Sequence, residues 1–366
     1  MTFARVAGVT NLLADDLDHV LAHTGPLWDD LRGGRLFITG GTGFFGCWLL
    51  ESFAWANDRL SLGADAVVLT RDAAAFARKA PHVARRSDIG LHEGDVRSFT
   101  FPNGHFTHII HAATDTTSRA DATSQLVLLD TILSGTRRTL EFACQSGAPK
   151  VLLTSSGGVY GRQPSELTHI PEEWTGSPDT LDVRSAYAEG KRVAEYLAAA
   201  FHSEQGLPVK IARCFAFVGP HLPLDAHFAI GNFLRDGLEG RSVQVGGDGT
   251  PYRSYLHAAD LAIWLLTILF RGQSCRPYNV GSDCALTIGE LARCVGDHFS
   301  VDVRVARAAE PGRAADRYVP AIHRAENELG LRVRIQLKDA IARTVKWHLA
   351  ALEPTDFGVN PSGKSA

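Results

Sequence analysis

The sequence predicts an α/β fold, a doubly wound parallel sheet with a smaller α+β lobe at its C-terminal end. Three observations predict it. From Arg35 onward, short apolar runs alternate with amphipathic stretches, the pattern of βαβ units. The first run, Leu36-Phe-Ile38, leads directly into Thr39-Gly-Gly-Thr-Gly-Phe-Phe-Gly46, a glycine-spaced turn opening a helix. Far downstream, Tyr187-Ala-Glu-Gly-Lys191 puts a phenol and an ammonium on one face of a helix.

Taken in order, residues 1–33 precede the first strand. Apolar residues at helical spacing in Asn11–Leu21 and Pro26–Leu31 predict an N-terminal helical extension. A dinucleotide-binding Rossmann domain over 34–218 follows. Its predicted strands are Leu36–Thr39, Ala66–Thr70, Ile89–Glu93, His108–His111, Val151–Thr154 and Val209–Arg213. Helices are predicted over Gly46–Ala56, Leu126–Ser146 and the tyrosine segment to His202. After Gly219-Pro220 the character changes. Short segments (Ser242–Val245, Tyr252–His257, Pro277–Val280) lie between helical stretches (His227–Glu239, Ala259–Phe270, Ile288–Phe299). This predicts a mainly substrate-binding lobe over 219–352, and a polar, Pro- and Gly-containing tail over 353–366 predicted to be mobile.

The 366 residues are 45% hydrophobic and 21% charged, enough to bury a full core. A formal net charge of −3 gives no reason to expect nucleic acid or an anionic membrane as partner. Ala258–Phe270 is too short to span a bilayer and is interrupted by Asp260. Met1-Thr-Phe-Ala-Arg-Val lacks a basic-then-apolar signal pattern, so a cytoplasmic location is expected. Cys47, Cys144, Cys214, Cys275, Cys284 and Cys294 form no CxxC pair and no short-range Cys/His cluster, so core roles are expected and no structural metal.

The chemistry rests on a few positions. Gly40, Gly43 and Gly46 are spaced by three. With Thr42, Phe44 and Phe45 they form a turn that keeps Cβ atoms away from a pyrophosphate at a helix N-terminus. An ordinary glycine turn is the alternative. At the end of the second strand, Thr70 stands where an acid would favour NAD, and Arg71 suits a 2′-phosphate, so NADP or NAD is expected. Asp95 in Gly94-Asp-Val96 is placed to meet an adenine amino group, or else caps a helix. His111-Ala-Ala-Thr114 offers the small residues Ala112, Ala113 and Thr114 on the nicotinamide side. Ser156 falls just past the fifth strand, where open parallel sheets place their chemistry. A lysine beside a tyrosine is expected to lower the phenol pKa and make Tyr187 an acid/base. Cradle and tyrosine together imply hydride chemistry on an alcohol or ketone.

At this point the chain resembles the extended short-chain dehydrogenase/reductases that act on nucleotide sugars, the NDP-sugar epimerase/dehydratase group. The resemblance spans roughly 35–350. It rests on Thr39–Gly46, Gly94-Asp95, Thr154–Gly161, Ser185–Lys191, Arg213–Pro220, Arg253-Ser-Tyr-Leu-His257 with Asp260, and Tyr278-Asn-Val-Gly281. It implies Tyr187 as acid/base, Lys191 as its activator and a cofactor-ribose ligand, and Ser156 as hydroxyl partner. Arg253 then grips the substrate diphosphate, and Thr116, Gly157 and Asn232 line the sugar-nucleotide site, with Pro223 and His227 nearby. Dehydratases of this group carry Asp-Glu after the catalytic Ser/Thr, and decarboxylases carry Glu. Here those positions are Gly157 and Gly158. Ala216 stands where many members have an asparagine. A nucleotide-sugar epimerase acting at C4 is therefore expected, ahead of a 4-keto-sugar reductase and a 4,6-dehydratase. A homodimer paired through the Leu126–Ser146 and Ala186–His202 helices is expected, with Leu126, Leu129, Leu133, Val193, Leu197 and Phe201 at or near the contact.

Overall fold

The computed structural model describes residues 11–114, 124–148, 150–226 and 228–352. Its centre is a seven-stranded sheet. The strands are β1 (Arg35–Thr39), β2 (Asp65–Thr70), β3 (Ile89–Glu93), β4 (His108–His111), β5 (Lys150–Ser156), β6 (Val209–Cys214) and Pro277–Val280. Across the sheet they run Pro277–Val280, β6, β5, β4, β1, β2, β3, and every pairing is parallel. The order reverses between β1 and β4, so a crevice opens at their carboxyl ends, where such sheets bind ligands.

Side-chain alternation along the strands builds two cores. Ile38, Val68, Ile110, Leu152 and Ala212 face helix α1 (Ala14–Thr24), helix α2 (Phe44–Leu60) and the helix Ala258–Arg271. Phe37, Val67, Ile109, Val151 and Ile211 face the helices Gln125–Ser146 and Ala186–Gln205. On that second side Phe37 packs on Phe99, Phe106 and Phe142, with ring centroids 5.6, 5.7 and 4.8 Å away.

The C-terminal half departs from a simple appended lobe. Pro277–Val280, read from sequence as part of the lobe, is the outer strand of the main sheet, in register with β6. The helix before it, Ala258–Arg271, is buried from Ala258 to Phe270. A helix apolar all round has no face for water and must lie inside the molecule. The short segments between β6 and that helix, and those after the outer strand, form small ladders instead. Tyr252–Arg253 pairs antiparallel with Leu286–Thr287 and parallel with Arg317–Tyr318. Val243–Val245 pairs with Val303–Val305.

The predicted N-terminal extension forms α1 followed by a 3₁₀ turn, Gly25–Leu31. Its polar side docks by specific bonds. His19 Nε2 lies 3.3 Å from the fully buried Asp260, which also accepts from the Arg334 and Ile335 amides. Asp16 accepts from Arg343. Of the six cysteines, Cys47 and Cys214 are buried and Cys284 is exposed. Among the described residues no helix is long and apolar enough to cross a membrane.

Candidate active site

The glycine turn sits at the crevice, at the end of β1. Gly40 has φ +73°, and a Cβ there would lie 2.5 Å from the Ala112 carbonyl oxygen and 2.7 Å from the Ala113 nitrogen. Gly46 is tighter still: its Cβ would fall 2.3 Å from the Gly40 oxygen and from the Gly41 Cα. Gly43, the N-cap of α2, would meet only ordinary contact at 3.4 Å, so its protein neighbours do not require a glycine there. Helix α2 begins at Phe44, two residues earlier than its sequence pattern suggested, so its free amides open onto the turn. Thr42 and Phe44 line the turn, and the Phe45 ring packs edge-on against Phe217, 5.1 Å away. Lys79 donates to the Thr42 carbonyl at 2.7 Å and braces the turn from the end of helix α3 (Ala73–Lys79).

Around that turn, Arg71 is exposed just past β2, and Asp72 caps α3. Asp95 accepts from the Arg97 backbone and guanidinium at 2.9 Å, which holds its carboxyl below the usual range. It therefore organises its own turn, and the helix it was expected to cap as the alternative is absent, the next element being β4. Val96 is buried against Gly135. Thr114 donates to the Ala113 carbonyl. His111 is bonded to Thr39 and Thr136, and burial holds it neutral, down to about 3. It ties β4 to β1 and to the helix Gln125–Ser146, and so fixes the small residues that follow it.

The second half of the site joins β5 to the tyrosine helix. Ser156 ends β5 and accepts from the Gly158 amide at 3.0 Å. Tyr187 is the second residue of the helix Ala186–Gln205, the helix that packs against β5 and the turn that follows Ser156. Lys191, one turn later, is buried, donates to the Thr154 carbonyl at 2.7 Å, and lies 5.9 Å from the Tyr187 ring centre. Burial lowers this amine to about 8. Burial pushes the Tyr187 phenol up to about 12, and the Lys191 proton is directed at the Thr154 carbonyl. Behind the site, Glu195 takes a 2.5 Å bond from Ser155 and the fork of Arg213, locking the helix to β5 and β6.

Gly157 faces a crowded wall. A Cβ there would meet the Phe215 ring at 2.6 Å and the Tyr318 hydroxyl at 2.8 Å. The Tyr318 hydroxyl donates to the Cys214 carbonyl at 3.5 Å. Arg253 reaches this wall from the lobe and is partly exposed. Its guanidinium donates to Asp316 at 3.0 Å and to its neighbour's carbonyl at 2.7 Å. Asn232 lies on the helix Ala229–Leu238, its amide within 3.1 Å of the Ala226 carbonyl and 3.3 Å of that of Leu224, and it braces the loop containing Pro223. Thr116 and His227 fall outside the described residues.

The structure thus gathers Ser156, Gly157, Tyr187 and Lys191 at one end of the sheet, with Arg253 across from them. Sequence reasoning missed Phe215, Asp316, Tyr318 and Lys79. Phe215 lies inside the Arg213–Pro220 segment but was not singled out there, and the other three lie in no motif; each reaches the site through strand register or a long side chain.

Comparison with known proteins accounts for this arrangement. Residues 36–281 match the model of the NAD dependent epimerase/dehydratase family. The chain is 31% identical over 214 residues to UDP-glucuronic acid decarboxylase 3 of Arabidopsis thaliana, covering 58% of this chain and 61% of that protein. It is 28% identical over 308 residues to UDP-glucuronic acid decarboxylase 6 of the same plant, covering 84% and 86%. The NAD-bound dTDP-glucose 4,6-dehydratase of Streptomyces venezuelae superposes with a TM-score of 0.71 at 26% identity, covering 86% of this chain and 97% of that one. A family match over most of the chain, on a sheet whose carboxyl edge carries the glycine turn, places this protein in the NAD dependent epimerase/dehydratase family.

Proposed function

We propose that this enzyme is a nucleotide-sugar epimerase that oxidises the sugar at C4 to a 4-keto intermediate and reduces it again from the other face. The observation that carries this reading is the wall at Gly157. Ser156, Tyr187 and Lys191 are present, but the two following positions hold no carboxylate, and Phe215 and Tyr318 fill the space a side chain at 157 would need. C4 oxidation needs only a proton acceptor and a hydride acceptor. Elimination or assisted loss of a carboxyl group calls for further acid/base groups.

In this reading Tyr187 Oη takes the proton of the C4 hydroxyl while Ser156 holds the same oxygen, and the proton returns on the reverse pass. Bound NAD or NADP supplies the hydride acceptor and, when oxidised, a positive charge near the phenol. The fit to such a group is read from the turn itself, which closes only because Gly40 and Gly46 carry no Cβ and which leaves the first amides of α2 free for an anion. Lys191 keeps the floor of the site in place through Thr154 and is the group offered to a ribose. A second reading, decarboxylation of a UDP-uronic acid, is favoured by the names of the plant relatives. It shares the first oxidation, so one assay separates the two. Purified protein is incubated with UDP-glucose, UDP-galactose and UDP-glucuronate, and the products are resolved by mass and by chromatography. Interconversion at constant mass supports epimerisation. Loss of carbon dioxide from UDP-glucuronate refutes it. Dinucleotide released on denaturation identifies the cofactor and tests whether exposed Arg71 selects a 2′-phosphate.

We assign the substrate diphosphate to Arg253, whose fork suits two phosphate oxygens. Asp316 holds that fork in the free protein. Arg253→Ala is expected to raise KM about 10–100-fold and to change kcat far less, since diphosphate contacts are alike in ground and transition states. Unaltered UDP binding by calorimetry would refute the assignment.

We also infer a homodimer through the helices Gln125–Ser146 and Ala186–Gln205. Leu126 is 77% exposed and Tyr196 70%, with Val127 and Val193 beside them, an apolar excess for two solvated helix faces. Leu197 and Phe201 pack on the second core instead. Light scattering at micromolar concentration is expected to give twice the chain mass, and a fully active monomer would rule the dimer out.

A further inference from the structure

The N-terminal extension closes a hollow whose charges have no counterpart. A cavity of about 170 Å³ lies where α1 and the turn after it meet the end of the helix Ala258–Arg271 and the segment that follows the helix His323–Leu329. Its charged lining is basic: Arg271, Arg332 and Arg334, with His23 from the last turn of α1. Ile263 and Leu329 supply apolar wall, and among the described residues no carboxylate lines it.

Among the described residues, none of the three guanidiniums makes a side-chain hydrogen bond or an ion pair. The carboxylates of this region are committed elsewhere. Asp260 receives His19 and the Arg334 and Ile335 amides, and Asp30 receives Lys150 at 2.6 Å. Arg276 and Arg343, by contrast, are paired with Glu328 and Asp16. Like charges gathered without a counter-ion repel, so the cluster weakens the fold instead of supporting it. The partial negative charge at the C-terminus of the helix Ala258–Arg271 suits one cation, Arg271. Arg332 and Arg334 have no such reason to be there. His23 donates through Nδ1 to the His19 carbonyl at 2.8 Å, so Nε2 is the nitrogen left for a ligand.

We propose that this hollow binds a phosphate group, either the free ion or the phosphate of a small sugar. Guanidinium forks match phosphate oxygens in pairs, and apolar walls beside them strengthen such bonds. The volume decides against anything larger, since pockets for drug-sized ligands begin at about 300 Å³. His23, Arg332 and Arg334 lie outside residues 36–281, so the family's chemistry does not account for the cluster. The ligand joins α1 to two distant parts of the chain and holds the extension down. This site is independent of the epimerase reading.

The test uses the full chain saturated with NAD, which covers the glycine turn. Inorganic phosphate and, separately, glucose 1-phosphate are titrated in by calorimetry at low salt. Binding is expected, and added salt should weaken it. Arg332→Gln and Arg334→Gln are each expected to weaken it about tenfold or more, the scale of one charge-assisted bond. Both side chains are exposed and have no bond to lose, so the variants should keep the wild-type melting temperature and NAD affinity. Hydrogen exchange places the ligand: amides of α1 and of the turn after it should exchange more slowly with phosphate bound. The tighter of the two probes identifies the free ion or the sugar phosphate. No binding of either probe at millimolar concentration overturns the proposal. Binding that both variants retain, or that leaves exchange in α1 unchanged, also overturns it, because the anion then sits elsewhere, at Arg253 for example.

Discussion

Tyr187→Phe is expected to lower kcat by about 10²–10⁴-fold, the usual contribution of a general acid/base, while NAD binds nearly as before. The change removes one oxygen and no ring. The ring, half-buried against the second core, keeps its packing, so the melting temperature should hardly move. The structure adds a condition to this expectation. With its phenol pushed up to about 12 by burial, Tyr187 in the unliganded protein is almost wholly protonated at neutral pH. The deprotonated form needed to begin oxidation is available only when cofactor and hydroxyl partners stabilise it. Activity in the oxidising direction should therefore climb with pH across the neutral range, and the climb should vanish in the variant. A variant keeping more than about a tenth of wild-type kcat would remove Tyr187 from the mechanism.

Gly46→Ala is expected to damage both stability and dinucleotide binding through a single methyl group. That methyl would overlap the backbone of Gly40 and Gly41 at 2.3 Å, and backbone atoms cannot swing aside as a side-chain end can. Either α2 lifts from the turn or the turn opens, at a cost of about 3 kcal/mol or more. Both distort the path a pyrophosphate would take. Thermal unfolding and an NAD titration measure the two effects together. Wild-type values for both would show that the turn has slack that the contacts at Gly46 do not suggest. Gly43→Ala is the useful contrast. With ordinary contact on the protein side it should fold normally, and any loss would be confined to ligand binding.

Much of this was legible in the chain because it is written in local patterns. The glycine turn, the alternation in Leu36–Thr39 and the four-residue step from Tyr187 to Lys191 each depend on neighbours a few positions away. The parallel sheet and the crevice followed from them. Long-range placement was not legible. Pro277–Val280 reads as one more short apolar segment, and only its pairing with β6 makes it part of the central sheet. Tyr318 has no motif around it and enters the site through a two-residue strand. The direction of the lysine proton was hidden for a related reason. Spacing places Lys191 beside Tyr187, but the direction of its proton is set by the Thr154 carbonyl on another element. Asp95 shows a local miss: its partner, Arg97, lies only two positions on, but the segment closes as a turn and not as the helix it was expected to cap.

The docking of α1 has a consequence for the order in which this molecule is made. Asp16 meets Arg343 across 327 positions of chain, and His19 meets Asp260 across 241. While the protein emerges from a ribosome, α1 can meet α2 early, where Trp55 donates to Asp18, but its contact with the buried helix comes much later and its last waits for the final helix. Sheet strands β1 to β6 can pair in the meantime, each soon after the one before. Helix α1 thus completes its contacts late, and until the buried helix is made, its apolar residues Leu17 and Val20 lack part of the core in which they are buried.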